Sequence, residues 1–136
     1  MTDKRQVELL IVSESGGERI EQRVKADRYD KAGSVFLRYN EKESELGRTV
    51  TTVKIDHKQI RIIRHGDTRS EQTFVMSERL RGYYETAQGM MELHTETERL
   101  QVDLDGTPAS VKWSYDLYVS GDHAGRYKLT MTLFEA

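Results

Sequence analysis

Apolar and polar side chains alternate along most of this chain, most clearly in its last third. Between positions 111 and 119 the odd positions are all apolar or aromatic, and the even positions are mostly polar. The alternation returns at 127–133, after a stretch rich in glycine and polar residues at 120–125. A period of two residues is typical of a strand with one buried face, not of a helix. The two segments are therefore predicted to pair as a hairpin.

The segment before this hairpin changes face in its middle. Residues 91–97 carry their inward pattern at odd positions, whereas Leu100, Val102 and Leu104 carry it at even positions. A regular strand cannot change face, because its side chains point alternately to opposite sides. The sequence therefore predicts a β-bulge or corner near Glu98 and Arg99.

The remaining alternating segments bring the count to about ten short strands, separated by glycines and polar turns. They are residues 7–13, 19–26, 35–39, 51–55, 59–62, 68–76 and 83–86. One helical turn is predicted at 27–31. The single proline, Pro108, is placed at the start of the strand that contains Trp113, where a missing N–H is tolerated.

About ten strands in one sheet would leave long unpaired edges, and closure removes those edges. The fold class is therefore all-β, and residues 1–136 are predicted to form a single domain. We expect a closed antiparallel up-and-down barrel of about eight to ten strands, because the predicted hairpins are local. A two-sheet β-sandwich is the alternative.

Composition narrows the function without choosing one. Twenty-one basic residues against 23 acidic ones give a net charge of −2, which gives no support to nucleic-acid binding. The chain has no cysteine, so disulfides and thiolate chemistry are excluded. No apolar run approaches the roughly 18 residues of a membrane span. We expect a cytoplasmic protein that does not interact with membranes.

Six segments resemble, in the same order, a known family of bacterial proteins. They are Phe36-Leu37-Arg38-Tyr39, Thr52-Val53-Lys54-Ile55, Arg64-His65-Gly66, Gln72-Thr73-Phe74-Val75, Gly89-Met90-Met91-Glu92-Leu93-His94-Thr95 and Tyr115-Asp116-Leu117-Tyr118-Val119. Together they make the chain similar to the YwiB-like family, whose function is unknown. The resemblance implies a lipocalin-like, calycin-type barrel. It implies no catalytic residues, and it suggests by fold analogy a small hydrophobic ligand in the interior.

Catalytic and metal-binding patterns are not found in the sequence. The four histidines are scattered, and there is no HExxH motif, calcium loop or GxSxG elbow. His94 between Glu92 and Glu96 is interpreted as part of a solvated strand face rather than a metal site. We therefore predict no catalytic residue, no metal site and no cofactor.

One arginine stands out because of its phase. If Ile60 and Ile62 face inward, Arg64 also does, near a strand end. An inward arginine needs an anionic or polar partner, which is either a carboxylate ligand or a protein carboxylate at the barrel mouth. The candidate ligand-binding residues are Arg64, Gln72, Tyr83, Thr95 and Tyr115.

Three functions follow from these expectations. The first is binding of a small hydrophobic or carboxylate ligand inside the barrel. The second is a protein-interaction or regulatory module, monomeric or homodimeric, that uses outward apolar residues of the barrel wall. Those residues are Leu10, Val12, Tyr118 and Phe134. The third is an isomerase-type enzyme, which has the least support because no reaction is indicated.

Overall fold

The alternating segments form ten strands and no helix in the part of the chain that the computed structural model describes, residues 3–41 and 47–135. The strands are β1 (Asp3–Ser15), β2 (Glu18–Lys31), β3 (Ser34–Asn40), β4 (Thr49–Ile55), β5 (Gln59–Gly66), β6 (Arg69–Val75), β7 (Arg79–Thr86), β8 (Gly89–Asp103), β9 (Ala109–Val119) and β10 (Asp122–Glu135). Among these described residues no helix is long and apolar enough to cross a bilayer.

Each strand pairs antiparallel with its neighbour in sequence, and β1 pairs with β10, so the sheet closes into a barrel. The closing register runs from Val7 opposite Glu135 to Glu14 opposite Lys128. The prediction of a closed up-and-down barrel is confirmed, and the sandwich alternative is excluded. Closure leaves no continuous unpaired strand edge along the wall.

The predicted change of face in β8 is confirmed. The register between β8 and β9 shifts between Thr97 and Arg99, so Thr97 and Leu100 both point into the barrel although their positions have opposite parity. The bulge inserts one residue, and the strand bends there. It lets one long strand, β8, follow the curved wall from one end of the barrel to the other.

The helical turn predicted at 27–31 is wrong. These residues complete β2, where Asp27 pairs with Arg38 of β3 and Lys31 pairs with Ser34. On its other side β2 pairs with β1 up to Asp30. Hydrogen bonding to strands on both sides satisfies the backbone, and this outweighs the weak local preference of a polar segment. The turn itself lies at Ala32 and Gly33, both with positive φ.

The interior is filled differently at the two ends of the barrel. At one end, where β4 turns into β5, the inward residues Val35, Ile55, Ile60 and Phe74 form a row of cross-strand neighbours. All four are buried. We call this the apolar end. The opposite end, where β5 turns into β6, carries polar inward residues and is called the polar end.

Candidate ligand site at the polar end of the barrel

A continuous row of polar and aromatic side chains crosses five strands at the polar end. Its members are successive register partners: Tyr39 with Thr51, Thr51 with Arg64, Arg64 with Ser70, and Ser70 with Tyr84. Register partners on adjacent strands point to the same face of a sheet. Because Thr51 and Ser70 are buried, the whole row faces the interior.

Arg64 lies at the centre of this row, and its place follows from the pattern of β5. Ile60 and Ile62 are both buried, so the residue two positions later must also turn inward. The hairpin that follows is tightly packed. Gly66 has a φ of 135°, and a Cβ there would lie 2.0 Å from the carbonyl oxygen of Arg48. Only glycine fits at this point, which places Arg64 at the rim of the interior.

A carboxylate from the β3–β4 connection faces Arg64. Glu41 Oε1 lies 4.0 Å from Arg64 Nε, and the Glu41 side chain is only 5% exposed. The Thr51 hydroxyl donates to the same oxygen at 2.8 Å. Glu41 reaches this position because its backbone N–H donates to the Thr49 carbonyl at 2.9 Å, which extends the β3–β4 ladder. The separation of 4.0 Å is too long for a hydrogen bond.

The opposite wall adds an aromatic surface. Thr97, Tyr115 and Tyr127 are register partners across β8, β9 and β10, and the two tyrosine rings stack at 5.5 Å. Phe74 packs against Tyr115 at 4.6 Å and against Trp113 at 5.6 Å between ring centroids. The polar row therefore faces a wall of rings.

Several buried polar atoms of this interior have no hydrogen-bond partner among the described residues. They are Arg64 Nε, Ser70 Oγ, Thr97 Oγ1 and Trp113 Nε1. Two of them, the arginine and indole N–H groups, can only donate, and the two hydroxyls can donate or accept. Such groups are rare in folded proteins, since a buried unpaired donor loses its hydration without compensation. A partner that accepts hydrogen bonds would satisfy them.

The environment keeps two interior tyrosines neutral. Burial raises the pKa of Tyr115, the nearby Tyr127 adds to the effect, and the positive charge of Arg64 opposes it. Burial also raises the pKa of Tyr39, and the carboxylate of Glu41 raises it further. Both tyrosines therefore stay protonated and present O–H groups near Arg64.

The structure separates the five candidate residues. Arg64 and Tyr115 lie in this interior. Gln72 is half-buried, and it is the register partner of the inward Ile62. Thr95 is buried, but its hydroxyl already donates to the Thr73 carbonyl at 2.7 Å. Tyr83 does not join them, because it pairs with Glu92 and lies on the outer face.

Several residues of the site were not among the candidates, and two of them, Tyr84 and Glu41, show why. Tyr84, not Tyr83, faces the interior, and the sequence carries the signal for it. Arg79, Arg81 and Glu85 share the parity of Tyr83 and mark the outer face. Glu41 follows the end of β3 and has no alternating context, so only the three-dimensional register brings it to Arg64.

A sequence model of a domain of unknown function, DUF1934, matches residues 6–131. The chain belongs to the DUF1934 family. The uncharacterized β-barrel protein YwiB of Bacillus subtilis is 30% identical over 126 residues, which cover 93% of this chain and 88% of that protein. The crystal structure of the ywiB protein from Bacillus subtilis matches with a TM-score of 0.82 and 28% identity. That match covers 99% of this chain and 93% of the solved one.

The resemblance to the YwiB-like family is thus confirmed, and the DUF1934 fold is that of a β-barrel. Neither match brings a reaction, substrate or ligand to this chain. The candidate site therefore has to be judged on its own residues.

The five grooves that the described residues form most clearly are all open to solvent, and none has Arg64 or Glu41 in its lining. One of about 720 Å³ lies between the β1–β2 turn and strands β8, β9 and β10, and its wall contains the outward Lys112 and Lys128 as well as the inward Trp113 and Tyr127. Another, of about 290 Å³, lies at the apolar end and includes Arg28, Leu104 and Pro108.

Two histidines of the outer face lie beside carboxylates. His94 Nε2 lies 3.6 Å from Glu92 Oε1, and His123 Nε2 lies 3.0 Å from Asp116 Oδ1. No group of three histidine or acidic side chains among residues 3–41 and 47–135 is arranged to hold a metal ion. His94 thus lies on the outer strand face where it was expected.

Proposed function

We propose that this DUF1934 protein binds a small amphipathic ligand at the polar end of its barrel, with a carboxylate of the ligand against Arg64. The observation that carries the proposal is that Arg64 Nε and the hydroxyl of its register partner Ser70 are buried and have no hydrogen-bond partner among the described residues. A carboxylate accepts several hydrogen bonds at once and pairs well with a guanidinium group. The rings of Phe74, Tyr115 and Tyr127 supply an apolar surface for the remainder of the ligand.

Access from this end is supported by the exposure of other inward residues. Met91 is the register partner of Tyr84 and is 42% exposed, and Tyr84 is half-buried. An apolar side chain at an inward position that remains open to solvent marks the mouth of the barrel, not its sealed core. The ligand would enter past these two residues.

Native mass spectrometry of the purified protein gives the first test. A mass above that of the denatured chain would identify a co-purified ligand and its size. A defined assay follows with 11-(dansylamino)undecanoic acid and its methyl ester, because the single tryptophan, Trp113, lies in the interior and can transfer excitation to a bound dansyl group. We expect the acid to bind about tenfold more tightly than the ester, since only the acid can pair with Arg64.

A matched pair of double variants assigns the site. Arg64→Met with Glu41→Gln removes the ion pair of the polar end without leaving a lone charge, and should abolish the preference for the acid. At the apolar end, Arg28 Nε donates to Asp30 Oδ1 at 2.9 Å. The control variant, Arg28→Met with Asp30→Asn, removes that ion pair and should leave the preference for the acid intact. Equal binding of acid and ester by the parent protein would overturn the proposal.

A second candidate, an interaction module, is favoured by the 720 Å³ outer groove and by Phe134, which is 36% exposed on the outer wall. Light scattering tests it, because a monomer over a wide concentration range would argue against a homodimer. The cytoplasmic location proposed here rests on the lack of cysteine. An isomerase-type activity has no observation in its favour.

A further inference from the structure

We infer that Glu41 occupies the anion position of the polar end and that a ligand carboxylate must displace it. This inference rests on the proposed function and assigns the residue that sets its specificity. Glu41 and Arg64 carry opposite charges, so the interior at this point is neutral as it stands. A ligand carboxylate would add a second negative charge unless Glu41 moves away.

Glu41 is held by neighbouring hydroxyl groups more closely than by Arg64. Its carboxylate is almost fully buried, yet it lies 4.0 Å from Arg64 Nε, and that nitrogen has no hydrogen-bond partner among the described residues. Its side chain accepts a hydrogen bond from the Thr51 hydroxyl at 2.8 Å, and it also hydrogen-bonds with the Tyr39 side chain. A well-formed arginine–carboxylate pair makes two parallel bonds of under about 3 Å. Glu41 therefore leaves the Nε–H group of Arg64 without a hydrogen-bond partner among the described residues.

The outer wall of the same two strands shows what a tighter pair looks like. Arg61 on β5 donates from Nε to Glu71 Oε1 on β6 at 2.9 Å, and its Nη2 also contacts the same oxygen. Arg61 and Arg64 lie on one strand three residues apart, on opposite faces. The difference between the pairs is thus not set by the strand, and it makes Glu71 a control for Glu41.

Displacement also accounts for the way the interior is filled. The Glu41 side chain, which is only 5% exposed, lies beside Arg64, where a ligand carboxylate would bind. Glu41 follows the last residue of β3, where the ladder ends with a single backbone hydrogen bond to Thr49. A side chain held at a strand end can leave with little disruption of the barrel.

The test compares Glu41→Gln with Glu71→Gln, using the dansyl acid and its methyl ester. Glutamine keeps the size of the side chain and removes the charge that competes for Arg64. We expect Glu41→Gln to bind the acid about tenfold more tightly than the parent protein, and the ester equally well. Glu71→Gln should change neither. Thr51→Val removes a hydroxyl that holds Glu41. It should also raise the affinity for the acid, by a smaller factor.

Two further outcomes separate the inference from the function on which it rests. If the acid binds through Arg64 but Glu41→Gln lowers stability and leaves its affinity unchanged, Glu41 is a structural partner and the inference fails alone. If the parent protein does not prefer the acid to the ester, the proposed function fails and the inference fails with it. A ¹⁵N spectrum of the arginine side chains supplies an independent readout, because displacement should move the Arg64 Nε–H signal and leave that of Arg61 in place.

Discussion

The two ends of the barrel each turn an arginine inward, and their guanidinium groups are satisfied in different ways. At the apolar end, Arg28 is buried and forms two hydrogen bonds with Asp30, at 2.9 and 3.4 Å. At the polar end, Arg64 faces Glu41 at 4.0 Å, and its Nε has no hydrogen-bond partner within residues 3–41 and 47–135. Arg28 therefore completes a closed ion pair, whereas Arg64 retains the capacity to bind something else.

The side chains around the two arginines also differ, being aliphatic around Arg28 and polar around Arg64. Arg28 is the register partner of Leu37, within an interior of aliphatic side chains, and its partner Asp30 is 47% exposed. Arg64 lies between Thr51 and Ser70, and its partner Glu41 is buried. The comparison teaches that burial of a charge does not by itself indicate a site. The unmet hydrogen bonds around the charge distinguish a binding position from a structural one.

The largest expected effect comes from two residues of one strand, β6. Phe74 packs against Trp113 and Tyr115 at the centre of the core, so Phe74→Ala should lower the free energy of unfolding by about 3–5 kcal/mol. Ser70→Ala removes a buried hydroxyl without a partner and should change it by less than about 0.5 kcal/mol. Urea denaturation measures both. A loss at Ser70 comparable to that at Phe74 would mean that the hydroxyl is satisfied after all.

The two arginines should differ by a smaller amount. Arg64→Met leaves the buried Glu41 carboxylate without its cation and should cost about 3 kcal/mol of unfolding free energy. Arg28→Met leaves Asp30, which is half-exposed and lies 3.8 Å from Arg5, and should cost about 1 kcal/mol. Adding Glu41→Gln to Arg64→Met should restore most of the loss. Equal losses of unfolding free energy in the two single variants would show that the two arginines are held equally well.

The smallest effect appears only in alkali. Unfolded tyrosine ionises near its ordinary pKa of 10.0, whereas burial raises the pKa of Tyr115 and of Tyr39 in the folded barrel. The folded chain thus keeps protons that the unfolded chain releases, so stability is constant below about pH 10 and falls above it, by up to about 1.4 kcal/mol per pH unit for each tyrosine.

Denaturation curves between pH 8 and pH 11 measure this slope, and absorbance at 295 nm follows tyrosine ionisation directly. Tyr115→Phe should flatten the decline, while Tyr29→Phe serves as a control at a position where the ring is only half-buried. An unchanged slope in Tyr115→Phe would show that the ring is solvated.

Most of the wall was predictable because alternation reports which face of a strand is buried. The change of face near Glu98 and Arg99 even located the bulge of β8. The helical turn at 27–31 failed because a polar segment has no apolar phase to follow, and pairing with β1 and β3 decided its structure. Gly82 illustrates a further limit. A Cβ there would lie 2.2 Å from the Glu71 carbonyl oxygen, a close approach that no local pattern announces.

The residues of the candidate site were harder to predict from the sequence than the strands of the barrel wall. Arg64 was found because Ile60 and Ile62 set its phase, and its protein carboxylate partner was anticipated as a class but not as Glu41. The registers that align Tyr39, Thr51, Arg64 and Ser70 depend on turn lengths and bulges summed over several hairpins. Alternation fixes the face of each strand but leaves its offset along the next strand open.

The seam between β1 and β10 has a consequence for how this protein is made. Strand β1 finds its second partner only after β10 has been synthesised, since Val7 pairs with Glu135. Until then the growing sheet of hairpins carries an open edge on β1, which is the kind of edge that recruits other chains. Synthesis of β10 is thus the step that closes this edge and removes the risk.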